Sequence, residues 1–167
     1  GVITTNNKKF YTTIKKLRNL GSLVKFKHDL VGMNSRLDSL QAIILNHKLK
    51  HLSKFNSKRR KIASEYDNKI VNKKIEKLRY SKFSVYHQYV LIIKKRDKFI
   101  RYLKKSKIQY GFHYPFAIHQ LEVFKKYFKR EKFPNSEILA KYGISIPIDP
   151  NLSKKEINYI ISKLNSF

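Results

Sequence analysis

With 38 lysines and arginines against 11 aspartates and glutamates, the 167-residue chain carries a net charge of +27, enough to attract nucleic acid or an anionic surface. Thirty of those cations are lysines and eight are arginines, spread along the whole chain without an arm or stripe, and Lys, Ile and Asn are all abundant, as A/T-rich coding produces. Specific nucleic-acid binding is therefore not expected, since the forked guanidinium is the group that reads phosphate and base edges. The absence of cysteine excludes disulfides and thiolate catalysis and fits a cytoplasmic setting; no apolar run approaches the 18 or so residues that span a membrane; and 41% hydrophobic residues suffice for one packed core.

In chain order, Gly1–Thr5 reads as a buried-type strand, and a strand opening directly on Gly1 reads as the tail of a longer body. Phe10, Ile14 and Leu17 recur at helical spacing, with Gly21 placed for a left-handed cap. After a loop over Ser22–Gly32, Ser35 and Asp38 have capping-box spacing. From there no proline or glycine interrupts a helix into the Ala63–Tyr66 region, with Leu37, Leu40, Ile44, Leu45, Leu49, Leu52, Phe55, Ile62 and Tyr66 forming one stripe. Such a helix spans roughly 45 Å and reads as the connector between a large and a small domain.

A polar stretch, Asn68–Lys82, follows, then a strand over Val85–Ile93. Asp97 is placed to cap a helix carrying Ile100 and Leu103, and Ile108–Tyr114 reads as a second strand that Pro115 ends. Leu121, Phe124 and Phe128 mark a short amphipathic helix, and another follows Pro134 and stops at Gly143. Ile144–Pro147 is a short strand. The last helix opens on a capping box, Ser153 and Glu156, and turns Ile157, Ile160, Ile161 and Leu164 to one face. From Val85 on, the order is that of a small α+β domain.

The chemistry-bearing residue types are few. His47 and His51 have the spacing of two zinc ligands, but Lys48 and Lys50 lie between them and no general-base Glu does, so two solvated histidines are expected and no metal. No glycine-rich phosphate loop and no nucleophile elbow occurs. Gly32-Met33-Asn34-Ser35-Arg36 places an amide and a guanidinium at a helix start, where free N–H groups favour an anion; ordinary N-capping explains it equally well. His113-Tyr114-Pro115-Phe116-Ala117-Ile118-His119 puts two imidazoles and a phenol round a turn at a strand end, against the alternative of a turn with a packed Tyr. Ser145–Pro150 reads as structural.

Taken together, Gly1–Asn6, Leu17–Gly21, Gly32–Ala42, His87-Gln88-Tyr89, Arg96-Asp97, His113-Tyr114-Pro115, Phe133–Glu137 and Ser145-Ile146-Pro147 resemble, in order and spacing, the nucleotide-sugar aminotransferases of the DegT/DnrJ/EryC1/StrS family. The resemblance implies an α/β, fold-type-I pyridoxal-phosphate-dependent transferase. Residues 1–36 would be the terminal piece of its large cofactor-binding domain, 37–70 the long connecting helix and 71–167 the small α+β C-terminal domain. It implies a homodimer whose sites lie between subunits. Asn34 would reach the cofactor phosphate of the neighbouring subunit, and Arg36 the anionic substrate. His113, Tyr114 and His119 would approach the sugar. The amino donor would be an amino acid such as glutamate and the acceptor a nucleotide-linked keto-sugar.

The family's cofactor-anchoring lysine precedes the segment matching Gly1, and none of the 30 lysines occupies that slot. Transamination needs that amine to hold the cofactor and to shuttle protons, so the chain alone is expected to be inactive. Ala117 replaces a common proline and Asp149 a frequent histidine. The family's sugar-dehydratase branch and a basic nucleic-acid-binding module are the alternatives.

Overall fold

Asn7 opens the first helix, α1 (Lys8–Leu17), because its side-chain oxygen accepts from the Lys9 and Phe10 N–H groups at 2.9 and 3.1 Å, filling two of the donors a helix start leaves free. Gly21 closes the segment as the sequence requires: its φ is +80°, and its N–H donates to the Lys16 carbonyl at 2.8 Å. A Cβ there would lie 1.7 Å from the Leu30 carbonyl oxygen, so no other residue fits without moving the loop. The structure is a computed structural model that describes residues 1–128 and 131–167, in two units, Gly1–His51 and Leu52–Phe167.

Two expectations fail in the first unit. Gly1–Thr5 forms no strand: it makes no ladder or bridge with the described residues, its one bond being from the Asn7 N–H to Thr5 Oγ1 at 3.1 Å, and Val2 and Ile3 are exposed. A strand is completed by a neighbour's hydrogen bonds, and local β propensity cannot supply one. The long helix is two helices, α2 (Ser39–Leu49) and α3 (Leu52–Lys69), separated by a turn in which the His51 N–H donates to the Lys48 carbonyl at 3.0 Å. Lys48 in the last turn of α2 places positive charge where a helix C-terminus favours it. The cap of α2 is Asp38, whose carboxylate accepts from the Leu40 N–H at 2.8 Å, and the Ser35–Asp38 box does not form.

The second unit carries the core. Its sheet has the order β1 (Glu76–Lys77), β2 (Tyr89–Ile92), β3 (Gly143–Ile146), all antiparallel, with Glu76 opposite Ile92 and Val90 opposite Ser145. Along β2, Tyr89 and Leu91 are buried while Val90 and Ile92 are half-exposed; β3 is buried throughout. Helix α4 (Arg96–Lys105) contributes Phe99 and Leu103 to this core, and α3 contributes Ile62, Ala63 and Tyr66. A short 3₁₀ turn (Ile118–Gln120), α5 (Glu122–Lys125) and α6 (Pro134–Tyr142) precede β3. Helix α7 (Lys154–Asn165) follows, with the expected capping box: Ser153 N–H to Glu156 at 2.7 Å and Glu156 N–H to Ser153 Oγ at 3.2 Å. Its buried Ile157, Ile160, Ile161 and Leu164 contribute about 1.5–3 kcal/mol each by leaving water.

Here too the strands and caps needed correction. The Val85–Ile93 strand is only Tyr89–Ile92, Ile108–Tyr114 reduces to one isolated bridge between Gly111 and Ser145, and β1 forms inside the polar stretch Asn68–Lys82, to which no element was assigned. Asp97 sits in the first turn of α4 rather than at its cap, which is Lys95. The helix expected across Leu121, Phe124 and Phe128 stops at Lys125.

Two buried phenols tie α3 to the rest. Tyr66 donates to the Pro147 carbonyl at 2.9 Å, and Tyr89 donates to the Asp67 carboxylate at 2.5 Å. Burial raises both above the ordinary phenol value of 10.0, and for Tyr89 the Asp67 bond raises it further. Because the folded-state values are the higher ones, the folded chain keeps these protons where the unfolded chain loses them. Stability is therefore expected to hold below pH 10 and to fall as pH rises above it. Urea midpoints at about pH 9 and about pH 11 check this, and Tyr66→Phe should flatten the fall.

Candidate functional site

The Gly32–Arg36 segment is laid along the C-terminal end of α1 by backbone bonds: Met33 N–H to Leu17 at 2.8 Å, Leu20 N–H to Met33 at 3.1 Å, Ser35 N–H to Arg18 at 2.9 Å. Gly32 makes that approach possible. A Cβ on it would lie 2.2 Å from the Gly21 nitrogen and 2.6 Å from the Leu17 oxygen. Asn34 pairs with Asn19 in an isolated antiparallel bridge and is exposed, with no described residue bonded to its side-chain amide. Asn19 also holds Arg36: its Oδ1 accepts from Nε at 2.8 Å and from Nη2, while its own amide donates to the Ser22 carbonyl at 2.8 Å. A guanidinium held along one edge by a neutral amide keeps its charge and its remaining donors for an anion.

Asn34 and Arg36 precede α2, and of its first-turn N–H groups that of Leu40 is taken by the Asp38 carboxylate, the ordinary N-capping weighed beside the anion seat. Whatever these two residues bind, they bind from the strap over α1.

In the second unit, the bridge between Gly111 and Ser145 uses both backbone bonds, 3.0 and 2.8 Å, and Ser145 Oγ lies 2.8 Å from His113 Nδ1. The His113 ring lies over Gly111, where a Cβ would come within 2.8 Å of its Cε1. The Tyr114 ring meets His113 edge-on at 5.8 Å and is 72% exposed, so the alternative of a core-packed Tyr at this turn does not hold. His119 is largely buried against the Phe133 ring, and its Nε2 lies 3.1 Å from Glu137 Oε1 in the first turn of α6. A cavity of about 410 Å³ opens beside His113, lined also by Tyr80, Tyr86, His87, Gln88 and Val90.

The five expected site residues thus stand in three places. Asn34 and Arg36 are joined through Asn19 in the first unit. In the second, His113 and Tyr114 stand together, and His119 is held by Glu137. Asn19, Ser145 and Glu137, which hold the others in place, were not singled out from the sequence. Among the described residues there is no metal-competent cluster, His47 and His51 included, and no helix is long and apolar enough to cross a membrane.

The pattern of the DegT/DnrJ/EryC1/StrS aminotransferase family matches residues 1–165. The chain belongs to this family. It is 36% identical over 169 residues to the dTDP-3-amino-3,6-dideoxy-alpha-D-galactopyranose transaminase of Aneurinibacillus thermoaerophilus, a match covering 100% of this chain and 46% of that protein. To the UDP-2-acetamido-2-deoxy-3-oxo-D-glucuronate aminotransferase of Pseudomonas aeruginosa it is 30% identical over 168 residues, 99% of this chain and 46% of that one.

Among solved structures, DesV of S. venezuelae, in complex with a ketimine intermediate, superposes with a TM-score of 0.87 at 26% identity, covering 98% of this chain and 45% of DesV. A family aminotransferase from Brucella abortus, at 24% identity and a TM-score of 0.85 over 98% of this chain and 44% of that one, shows the same fold. The fold is that of the pyridoxal-phosphate-dependent sugar aminotransferases, and the chain spans less than half the length of these relatives. Membership in an aminotransferase family displaces the basic nucleic-acid module as the reading of the +27 charge.

Proposed function

We propose that this chain supplies the acceptor-facing part of a cytoplasmic aminotransferase, moving an amino group from a glutamate-like donor to a nucleotide-linked keto-sugar. The observation that carries the reading is the family match over residues 1–165. The geometry supports it. Asn34 offers a free amide and Arg36 a guanidinium oriented by Asn19, a donor set that suits phosphate oxygens. Pyridoxal phosphate, when bound, supplies the electron sink that lets an amine be exchanged for a carbonyl.

Each residue then has a role. Asn34 holds the cofactor phosphate of a neighbouring subunit, and Arg36 meets the anionic part of the nucleotide-sugar. His113, fixed by Ser145, and Tyr114 present an imidazole and a phenol to the sugar, as does His119, held by Glu137. The homodimer is part of the same reading, supported by Leu40, Ile43, Ile44, Leu45 and Leu49 of α2, all left exposed. The residue that anchors the cofactor covalently has no counterpart among these 167, so the chain by itself is expected not to turn over.

A chimera tests this. The matched part of the A. thermoaerophilus transaminase is replaced by this chain and supplied with pyridoxal phosphate, glutamate and a dTDP-linked keto-sugar. Amine transfer is expected from the chimera, while the 167 residues alone give neither a shift of the cofactor absorbance nor product. In the chimera, Asn34→Ala should weaken cofactor retention by about 10-fold or more, the worth of one hydrogen bond to a charged group. Arg36→Lys should cost about 10–100-fold in kcat/KM, mostly through KM, by losing the fork. Turnover by the chain alone would refute the division of labour, and a dehydrated product would move the assignment to the dehydratase branch.

A further inference from the structure

At the Ile92 end of β2, away from Val90 and His113, a cavity of about 500 Å³ is lined by Lys73, Lys74, Lys94, Lys95 and Lys98, with one acid, Glu76. Its apolar wall is Ile92, Ile93 and the Phe167 ring, which is itself packed edge-on against Phe99 at 4.8 Å. Composition alone scatters lysines over a surface. Here three separate stretches, 73–76, 92–98 and 167, converge on one concavity, because Glu76 pairs with Ile92 across the β1–β2 ladder and α4 begins at once after it.

Four of the five lysines are not neutralised. Among the described residues none of the five pairs with an Asp or Glu side chain; Lys74 alone has a polar partner, the main-chain oxygen of Phe167 at 2.9 Å, which in the 167-residue chain is part of the α-carboxylate, and its ammonium lies 5.7 Å from the Phe167 ring centre. Four unpaired like charges round one hollow repel one another, and a multiply charged anion is the ligand that relieves this. A ring of ammonium groups suits several phosphate oxygens without demanding one fixed geometry. A short concavity with an apolar wall fits a small molecule better than a nucleic-acid strand, which needs a stripe or groove.

We propose that this cavity is a binding site for a pyrophosphate-bearing small molecule, separate from the Asn34–Arg36 and His113–His119 groups. The phosphates lie among Lys73, Lys94, Lys95 and Lys98, and the organic part lies against Ile92 and Phe167.

The test uses the isotopically labelled 167-residue chain in about 0.15 M salt, where diffuse surface attraction is largely screened. Titration with inorganic pyrophosphate should give saturable amide shifts confined to residues near Ile92, Lys95, Lys98 and Phe167. The pair Lys94→Ala/Lys98→Ala should weaken binding about tenfold or more, and the control pair Lys8→Ala/Lys9→Ala in α1 should leave it unchanged. Uridine diphosphate should bind at least as tightly as pyrophosphate, and uridine alone should not bind. Shifts that never saturate, that spread over lysines throughout the chain, or that the control pair reduces equally, overturn the site. So does a short RNA that displaces pyrophosphate with no dependence on Lys94 and Lys98.

Discussion

Amide hydrogen exchange is expected to divide the chain at the Lys50–His51 turn, with residues 52–167 well protected in the dilute chain and residues 1–51 exchanging fast. The hydrophobic cluster runs from Ile62 to Leu164, whereas Gly21 and Ser22 are the only buried residues before His51. Helices of ten and eleven residues, as α1 and α2 are, are marginal in water without a packed face. Neither has one: Phe10 of α1 is 59% exposed, and Leu40 and Ile43 of α2 are each 66% exposed. Opening the first unit should therefore cost close to nothing, while core amides such as Leu91 and Leu103 should open only with global unfolding, about 5–15 kcal/mol for a domain. Slow exchange over Leu40–Leu45 at all protein concentrations would contradict this. Protection that grows with concentration would instead favour the dimer, with α2 buried against its copy.

What could be read in advance was what the chain decides locally. The Ser153–Glu156 box, the Pro134 start and Gly143 stop of α6, and the left-handed Gly21 depend on neighbours within a few residues, and all are found. The strands depended on partners elsewhere. Gly1–Thr5 has the residues of a strand but no strand partner among the described residues. Ile108–Tyr114 reaches β3 only through Gly111, and Glu76–Lys77 becomes a strand because Leu91 and Ile92 stand beside it. The choice of Asp38 over Ser35 as cap, and the turn at Lys50–His51, were equally invisible. Each is a contest between nearly equal local options, with no proline or glycine to decide it.

The site divides the same way. Asn34, Arg36, His113, Tyr114 and His119 stood out because their motifs carry a family resemblance, and family membership is now shown. The residues that orient them did not stand out. Asn19 is 17 residues from Arg36, Ser145 is 32 from His113 and Glu137 is 18 from His119, so each partnership exists only after folding. Asn19, Ser145 and Glu137 all lay inside quoted motifs without a role. The signal was that Asn19 precedes Gly21, whose fixed geometry brings the Gly32–Arg36 strap over it.

The same substitution at two leucines separates the units energetically. Leu103→Ala, at a position fully out of water beside Phe99 in α4, is expected to cost about 2–5 kcal/mol, through lost burial and a cavity its neighbours cannot close. Leu40→Ala, in the first turn of α2 and 66% exposed, should change stability by less than about 0.5 kcal/mol, since alanine is at least as good a helix former and no packing is lost. Urea midpoints on the dilute chain read both. A loss for Leu103→Ala of this size takes a large share of a domain's total stability, so partial unfolding at moderate temperature should accompany it. Equal costs at the two positions would mean that α2 is packed in solution against something that excludes water. In that case the core would extend into the first fifty residues, and the exchange boundary at Lys50–His51 would disappear with it.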